Sequence, residues 1–217
     1  MQSKQSIMSV LVKIFNAKKI LSFILFAGIP SLLFYCTALW GLWSEGYSIR
    51  EILRDPAQLS GESSLLGFLS NIGIFLWVSS IAVSFFCALI MRKLSKSSDI
   101  ELLVLIGALS FILAIDDFFM IHDRFINERI IYLMYAVFAI ALLVRHFNKI
   151  IKIDGFAFML AGLLLALSIL TDILQYSIPL SYDFQQIIEE GFKFIGAATW
   201  LYFSCSVAAY IIFEEDR

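Results

Sequence analysis

Long uncharged apolar runs follow one another along almost the whole chain, and short polar segments separate them. The runs Ile20–Trp43, Leu65–Met91 and Phe194–Phe213 contain no charged residue. A helix of about 18 or more such residues crosses the ~30 Å hydrocarbon layer of a bilayer at ~1.5 Å per residue. Three further runs qualify if a few acidic residues are accepted inside a span and if flanking basic side chains reach the two surfaces. The pattern therefore predicts six spanning helices, at 20–43, 65–91, 101–122, 129–146, 154–176 and 189–213.

A different periodicity precedes the first run. Apolar residues between Ile7 and Phe15 recur at helical spacing beside Lys4, Lys13, Lys18 and Lys19. This pattern predicts a basic amphipathic helix lying on the membrane surface. The first run is longer than the core of a signal peptide, and no cleavage site of small residues follows it, which favours a retained anchor helix.

The distribution of basic residues predicts the orientation. If the N-terminus is cytoplasmic, eleven of the 16 Lys and Arg residues lie on the inner side, and the outer side holds only Arg50, Arg54, Arg124, Arg129 and Lys193. This bias follows the positive-inside rule and places both termini in the cytoplasm. In the longest outer connection, Ser48 and Glu51 have capping-box spacing, which predicts a short helix over residues 49–55.

Composition agrees with the hydrophobic pattern. The chain is 60% hydrophobic and 16% charged, more apolar than a soluble domain of 217 residues can hide. We expect an all-α, polytopic six-helix bundle, forming a single transmembrane domain over 1–217, in the inner (plasma) membrane. The bilayer is its first expected partner. The net charge of -2 argues against nucleic acid as a partner.

The polar residues of the spans converge on one side of the membrane. The third predicted span ends in AIDDFFMIHDRF, which contains Asp116, Asp117 and His122; the fifth ends with Asp172. The sixth opens with Glu189, Glu190 and Lys193. With the predicted topology, all seven residues fall in the outer leaflet. Asp116 lies ~22 Å from the inner edge at ~1.5 Å per residue, so an ionised carboxylate there needs a partner.

Helical angles predict how these groups face one another. In a continuous helix Asp116 and Asp123 share a face, with Asp117 and His122 on opposite flanks. Lys193 shares a face with Gly196 on the last helix. We expect Lys193 to be the counter-charge of Asp116 and Gly196 to allow a close approach of the two helices. Trp77 and Trp200 are assigned to packing.

Intramembrane ionisable groups suggest function, and three hypotheses remain open. In the leading one, Asp116, Asp117, His122 and Asp172 bind or conduct a cation, either a divalent metal ion or a proton, and Glu189, Glu190 and Lys193 form a gate or counter-charge. In the second, the cluster belongs to a membrane-embedded, metal-dependent hydrolase or transferase acting on a lipid-like substrate. In the third, the chain is a non-catalytic subunit of a larger membrane complex. The partners considered are accordingly further copies of the chain in a homo-oligomer or the other chains of such a complex.

Overall fold

All regular structure in the described part of the chain is α-helical. The computed structural model describes residues 21, 25, 29–53, 56–63, 65–94, 100–174 and 181–214, and no strand occurs among them. The amphipathic helix predicted around residues 7–15 lies outside these ranges. The helices are α1 Ile29–Ser44, α2 Ile49–Leu53, α3 Pro56–Ser60, α4 Phe68–Lys93, α5 Ile100–Phe119, α6 Ile121–Arg124, α7 Glu128–Ile173 and α8 Tyr182–Glu214.

The chain divides into two compact units, residues 1–66 and 67–217. In the first unit, the predicted capping box is present at the start of α2. The backbone N–H and the hydroxyl of Ser48 donate to Glu51 Oε2 at 2.8 and 2.7 Å, and the Glu51 N–H donates to Ser48 Oγ at 3.2 Å. These bonds to the charged form lower the pKa of the Glu51 carboxyl.

The second unit contains the membrane helices. Within the described residues, four helices are long and apolar enough to cross a bilayer, namely α4, α5, α7 and α8. The chain is therefore a helical protein with the composition of a membrane protein. The prediction of six spans exceeds this number. It would require α1, which is shorter, to count as a span and α7 to count as two.

Helix α7 is a hairpin rather than a straight rod. It has 46 residues, and the backbone is non-helical at His146 and Asp154. A straight helix would separate Tyr132 from Asp172 by roughly 60 Å at ~1.5 Å per residue. The Tyr132 hydroxyl nevertheless donates to Asp172 Oδ2 at 2.6 Å. Residues 128–145, here the first arm, therefore run antiparallel to residues 155–173, the second arm.

The interior of the second unit is apolar on the side of the hairpin bend. Its fully buried side chains come from α4, α5, α7 and α8, and they include Cys87, Leu102, Leu103, Ile106, Leu142, Ile150, Phe203, Val207 and Ile211. Trp200 packs in this interior, as predicted, and its indole N–H donates to Ser110 Oγ at 2.8 Å. No buried charge accompanies these residues in the described core.

Gly196 does permit a close approach, but to a different helix from the one predicted. A Cβ atom on Gly196 would lie 3.0 Å from the Leu165 side chain and 3.3 Å from Leu164 Cβ, both on the second arm of α7. The prediction that Gly196 faces α5 is wrong, because α8 packs mainly against α7 and α4. This packing also determines what Lys193 meets three residues earlier.

Candidate functional site

The third predicted span breaks where its polar residues begin. Helix α5 ends at Phe119, Met120 has the left-handed backbone conformation (φ 51°, ψ 48°), and the one-turn helix α6 follows. Non-glycine residues rarely adopt this conformation. The predicted span 101–122 is therefore not one continuous helix, and the prediction that Asp117 and His122 lie on opposite flanks of it is wrong. The predicted shared face of Asp116 and Asp123 depends on a side chain outside the described part of the structure.

The break turns His122 back onto Asp116. The His122 backbone N–H donates to Asp116 Oδ1 at 2.9 Å, and the His122 ring Nδ1 lies 2.8 Å from Oδ2. The Tyr135 hydroxyl, from the first arm of α7, donates to the same Oδ2 at 2.7 Å. Asp116 is only 5% exposed. The buried Asp116 carboxylate is thus stabilised by an imidazole, a phenol and a backbone amide.

Asp172 has an analogous arrangement on the second arm. Its Oδ2 accepts the Tyr132 hydroxyl at 2.6 Å, and the Tyr132 ring centroid lies 5.9 Å from that of His122. Tyr132 and Tyr135 are three residues apart, so they share one face of the first arm. This face therefore presents two hydroxyl donors to two carboxylates on other helical segments.

Asp117 forms a third arrangement, with α4 and α8. The indole N–H of Trp77 donates to Asp117 Oδ2 at 2.8 Å, and Lys193 Nζ lies 4.0 Å from Oδ1. Lys193 Nζ is also 2.7 Å from Glu190 Oε1. The predicted pairing of Lys193 with Asp116 is wrong, since the neighbouring Asp117 faces Lys193 instead. Glu189 accepts a hydrogen bond from the Gln186 amide at 3.0 Å.

One cavity of about 190 Å³ connects these three arrangements. At ~30 Å³ per water molecule, its volume corresponds to about six waters. Six of the seven predicted residues line it, namely Asp116, Asp117, His122, Asp172, Glu189 and Lys193, together with Trp77, Tyr132 and Tyr135. The rest of the lining is mainly apolar, from α5 and both arms of α7.

Two further features adjoin the cavity. His122 also lines an open depression of about 380 Å³ with Arg124, Asn127 and Glu128. On another side, Asp117, Lys193 and Trp77 also line a depression of about 10 Å³, to which Glu190, the seventh predicted residue, contributes. His122 and the Asp117–Lys193 pair thus each lie between the cavity and a second space.

Three hydrogen-bond donors of the site escaped sequence reasoning: Trp77, Tyr132 and Tyr135. Trp77 was assigned to packing alone, and it is indeed only 1% exposed, but its N–H also holds Asp117. A buried indole or phenol usually needs a hydrogen-bond partner. Two tyrosines one helical turn apart in an otherwise apolar span were the available signal.

The donor set bears on the metal hypothesis. No group of three or more His, Cys, Asp or Glu side chains within the described ranges is arranged to hold a metal ion. Both oxygens of Asp116 already accept protein hydrogen bonds, and the ammonium of Lys193 lines the same cavity. A divalent ion at Asp116 would have to displace these donors.

The comparison with known families places the chain. A family model described as "Domain of unknown function (DUF8692)" matches residues 23–207. This match covers most of the chain, so the chain belongs to that family. No curated protein and no solved structure matches it.

Proposed function

We propose that this membrane protein responds to the proton, and that the cation of the leading hypothesis is H⁺ bound at the Asp116–His122 pair. The observation that carries the proposal is the 2.8 Å contact between His122 Nδ1 and Asp116 Oδ2 on the wall of a polar cavity. Imidazole ordinarily changes its charge between about pH 5 and 8. At this distance the ring and the carboxylate share one proton, and the Tyr135 hydroxyl stabilises the carboxylate.

The position of His122 gives the proton an entrance. His122 lines both the cavity and the open depression beside Arg124 and Glu128. A proton from the depression reaches the imidazole first and Asp116 next. Asp172 with Tyr132, Glu189, and Asp117 with Lys193 are the other titratable groups that face the cavity, and they set the electrostatic field at the pair.

The proton is favoured over a divalent metal ion by the donors that Asp116 already accepts. Hard divalent ions take several oxygen ligands, whereas the oxygens of Asp116 accept from Tyr135 and from the ring and backbone of His122. Adding one proton to the pair leaves these contacts in place. The positive charge of Lys193 also opposes a densely charged ion.

Binding is favoured over conduction by the apolar interior at the other end of the bundle. Leu102, Leu103 and Ile106 on α5 and Ile150 at the bend of α7 are completely buried there. A proton path needs water or polar groups, and these side chains offer neither. We therefore propose a proton-binding site near one face of the membrane rather than a conducting pore.

The Asp117–Lys193 pair is the proposed gate. It lies between the cavity and the small depression lined by Glu190, and Trp77 holds Asp117 by a hydrogen bond. A second proton entering the cavity and neutralising Asp117 would leave Lys193 attached to Glu190 alone. The barrier between the two spaces would then weaken.

The topology belongs to the same proposal. The two arms of α7 count as two spans, and the run that contains α1 counts as the first, which gives six. The Lys and Arg bias then places the cavity on the outer side and both termini in the cytoplasm. We propose the inner (plasma) membrane as the location.

Histidine titration tests the proposal, because the chain has only two histidines, His122 and His146. Protein labelled with ¹⁵N-histidine in nanodiscs gives two imidazole spectra by NMR, and His146→Gln assigns them. We expect the pH at the midpoint of the His122 titration to be lower in Asp116→Asn than in the wild type, because an amide does not stabilise the imidazolium charge. Asp183→Asn, at an exposed position of the first turn of α8, is the matched control. An unchanged His122 midpoint in Asp116→Asn would refute the proposal.

Two further measurements separate the neighbouring hypotheses. Proteoliposomes carrying a pH gradient should show no proton flux above that of empty liposomes; flux abolished by Asp116→Asn would establish conduction. Elemental analysis should find no stoichiometric metal in the wild type. Metal that is present in the wild type and lost in Asp116→Asn would establish a metal site.

A membrane-embedded hydrolase is the second candidate function. One observation favours it: an acid–imidazole pair lies on the wall of a cavity whose lining is otherwise mainly apolar. Such a pair is the arrangement of a general base, and the cavity has room for a short apolar group. Loss of added phospholipid ester, abolished by both His122→Gln and Asp116→Asn, would select this function.

A further inference from the structure

A second groove lies outside the polar cavity. It has a volume of about 630 Å³ and is open along its length, between α5 and the first arm of α7. Leu105 forms one wall, and Leu133, Val137 and Ala141 follow one another along the other. The polar lining consists of Glu101 and Arg145, which meet at one end of the groove. The first arm therefore turns one face to the polar cavity and another to this groove.

We propose that this groove binds one acyl chain of an anionic phospholipid, with the headgroup at Arg145. The two walls are candidate membrane spans, so hydrocarbon rather than water is the solvent along them. From Ile130 to Arg145 the groove extends roughly 22 Å at ~1.5 Å per residue. One leaflet of the hydrocarbon layer is about 15 Å thick, so an entire chain fits lengthwise.

The shape of the lining favours a lipid chain over a helix. Helices in membranes pack closely where Gly, Ala or Ser line the interface. The groove instead presents Ile130, Leu133, Met134 and Phe138 over most of its length. These large side chains hold another helix away, whereas a single acyl chain is thin enough to lie between them.

The exposed arginine at one end of the groove favours an anionic headgroup. Arg145 Nε lies 2.5 Å from Glu101 Oε1, and the Arg145 side chain is 63% exposed. The guanidinium carries four N–H donors besides Nε–H, in the fork that suits phosphate oxygens. These remaining donors of the exposed guanidinium provide the contact for a phosphate group.

The test uses nanodiscs assembled from equal amounts of dioleoyl phosphatidylglycerol and dioleoyl phosphatidylcholine. Native mass spectrometry then counts the lipids that survive detergent exchange on each chain. We expect the wild type to retain about one phosphatidylglycerol per chain. Ala141→Trp fills the groove and should remove this lipid, and the smaller change Val137→Phe should reduce it severalfold. Val144→Trp is the matched control, since exposed Val144 lies on the same arm but does not line the groove.

Charge variants test the headgroup separately and in opposite directions. Arg145→Gln should retain a lipid but lose the preference for phosphatidylglycerol over phosphatidylcholine. Glu101→Gln should increase that preference, because it removes the competing carboxylate. Equal retention in Ala141→Trp, Val137→Phe and the wild type would overturn the proposal, whichever headgroup is found.

Two other occupants would also overturn it, and each has its own readout. If a second copy of the chain covers the groove, Ala141→Trp changes the oligomeric mass measured by light scattering. If α1 covers it, oxidation of Ala141→Cys forms a disulfide with the native Cys36 of α1. The proton site can fail its histidine titration while this lipid is still retained, so the two proposals fail independently.

Discussion

Each end of the bundle holds a histidine near a carboxylate, and the two pairs differ in burial. At one end His122 Nδ1 lies 2.8 Å from Asp116, whose side chain is 7% exposed. At the other, His146 Nε2 lies 4.0 Å from Glu101, whose side chain is 49% exposed. The carboxylate is therefore buried in the first pair and half exposed in the second, whereas the two imidazoles are similarly buried, with side-chain exposures of 18% and 13%. Environment, rather than residue type, makes the first pair a candidate for function.

The cause of the difference lies in the backbone. The left-handed Met120 turns α6 so that both the ring and the amide of His122 reach Asp116. At His146 the bend of α7 leaves the ring Nε2 4.0 Å from Glu101 Oε2, and this nitrogen has no hydrogen-bond partner among the described residues. A helix break can therefore either complete a polar site or leave a polar atom unsatisfied.

The largest expected effect is a difference in stability between the two carboxylates. Asp116→Ala removes the acceptor of the His122 ring and amide and of the Tyr135 hydroxyl. Each orphaned donor costs ~1–3 kcal/mol, less what cavity water restores, so we expect a loss of about 3 kcal/mol. Glu101→Ala breaks an exposed pair and should lower the unfolding free energy much less. Reversible unfolding in mixed detergent micelles measures the unfolding free energy of both variants. Equal losses in Asp116→Ala and Glu101→Ala would mean that the two carboxylates do not differ in their contribution to stability.

Packing around the cavity offers a second contrast. Gly196→Ala places a Cβ atom 3.0 Å from Leu165, so the two helices must move apart, at a cost of about 2 kcal/mol. Gly162 lines the cavity, and a Cβ atom there meets nothing within 4 Å. Gly162→Ala should therefore be neutral or stabilise by up to about 1 kcal/mol through helix propensity. A comparable loss in both variants would mean that the cavity wall is as tightly packed as the α7–α8 contact.

The hydroxyls of the first arm give a third contrast. Tyr135→Phe removes a hydrogen bond to the Asp116 carboxylate, worth ~1.5–3 kcal/mol because the acceptor is charged. The unfolding free energy should fall by about that amount, and the His122 midpoint should change in the same NMR titration. Tyr202→Phe, at an exposed position of α8, should change neither quantity. If Tyr135→Phe lowers the unfolding free energy but leaves the pH midpoint of the His122 titration unchanged, the role of Tyr135 is structural only.

The sequence predicted the contents of the cavity better than its pairings. Asp116, Asp172 and Lys193 lie on segments far apart in the chain, yet apolar run lengths and the direction of each run were enough to bring them to one end. The length of an apolar run depends only on the hydrophobicity of its residues, which can be read directly from the sequence. Six of the predicted residues accordingly line one cavity.

The pairings failed because they assumed regular geometry. Asp116 was assigned to Lys193 on the angles of a straight helix, but the break at Met120 gives it His122 instead, and Lys193 meets Asp117. Nothing in the letters FFMIH marks a left-handed methionine, since this stretch contains no Gly, Asn or Asp, the residues that usually adopt that conformation. The tyrosine donors were missed for a related reason, because their partners lie on other helical segments: Asp172 across the hairpin of α7 for Tyr132, and Asp116 on α5 for Tyr135.

The smallest expected effect concerns salt at the exposed end. The Arg145–Glu101 pair is exposed, so added salt should screen it, over a Debye length of ~10 Å at 0.1 M and ~3 Å at 1 M. Glu101→Gln should cost a small part of the unfolding free energy at low salt and nothing measurable at 1 M. Asp116→Asn should lose the same stability at both salt concentrations, because Asp116 is only 5% exposed and salt screens buried charges much less. Unfolding free energies of the two variants at both salt concentrations provide the measurement. If the stability loss of Asp116→Asn depends on salt, bulk solvent reaches the carboxylate. A proton could then bind Asp116 directly, without passing through His122.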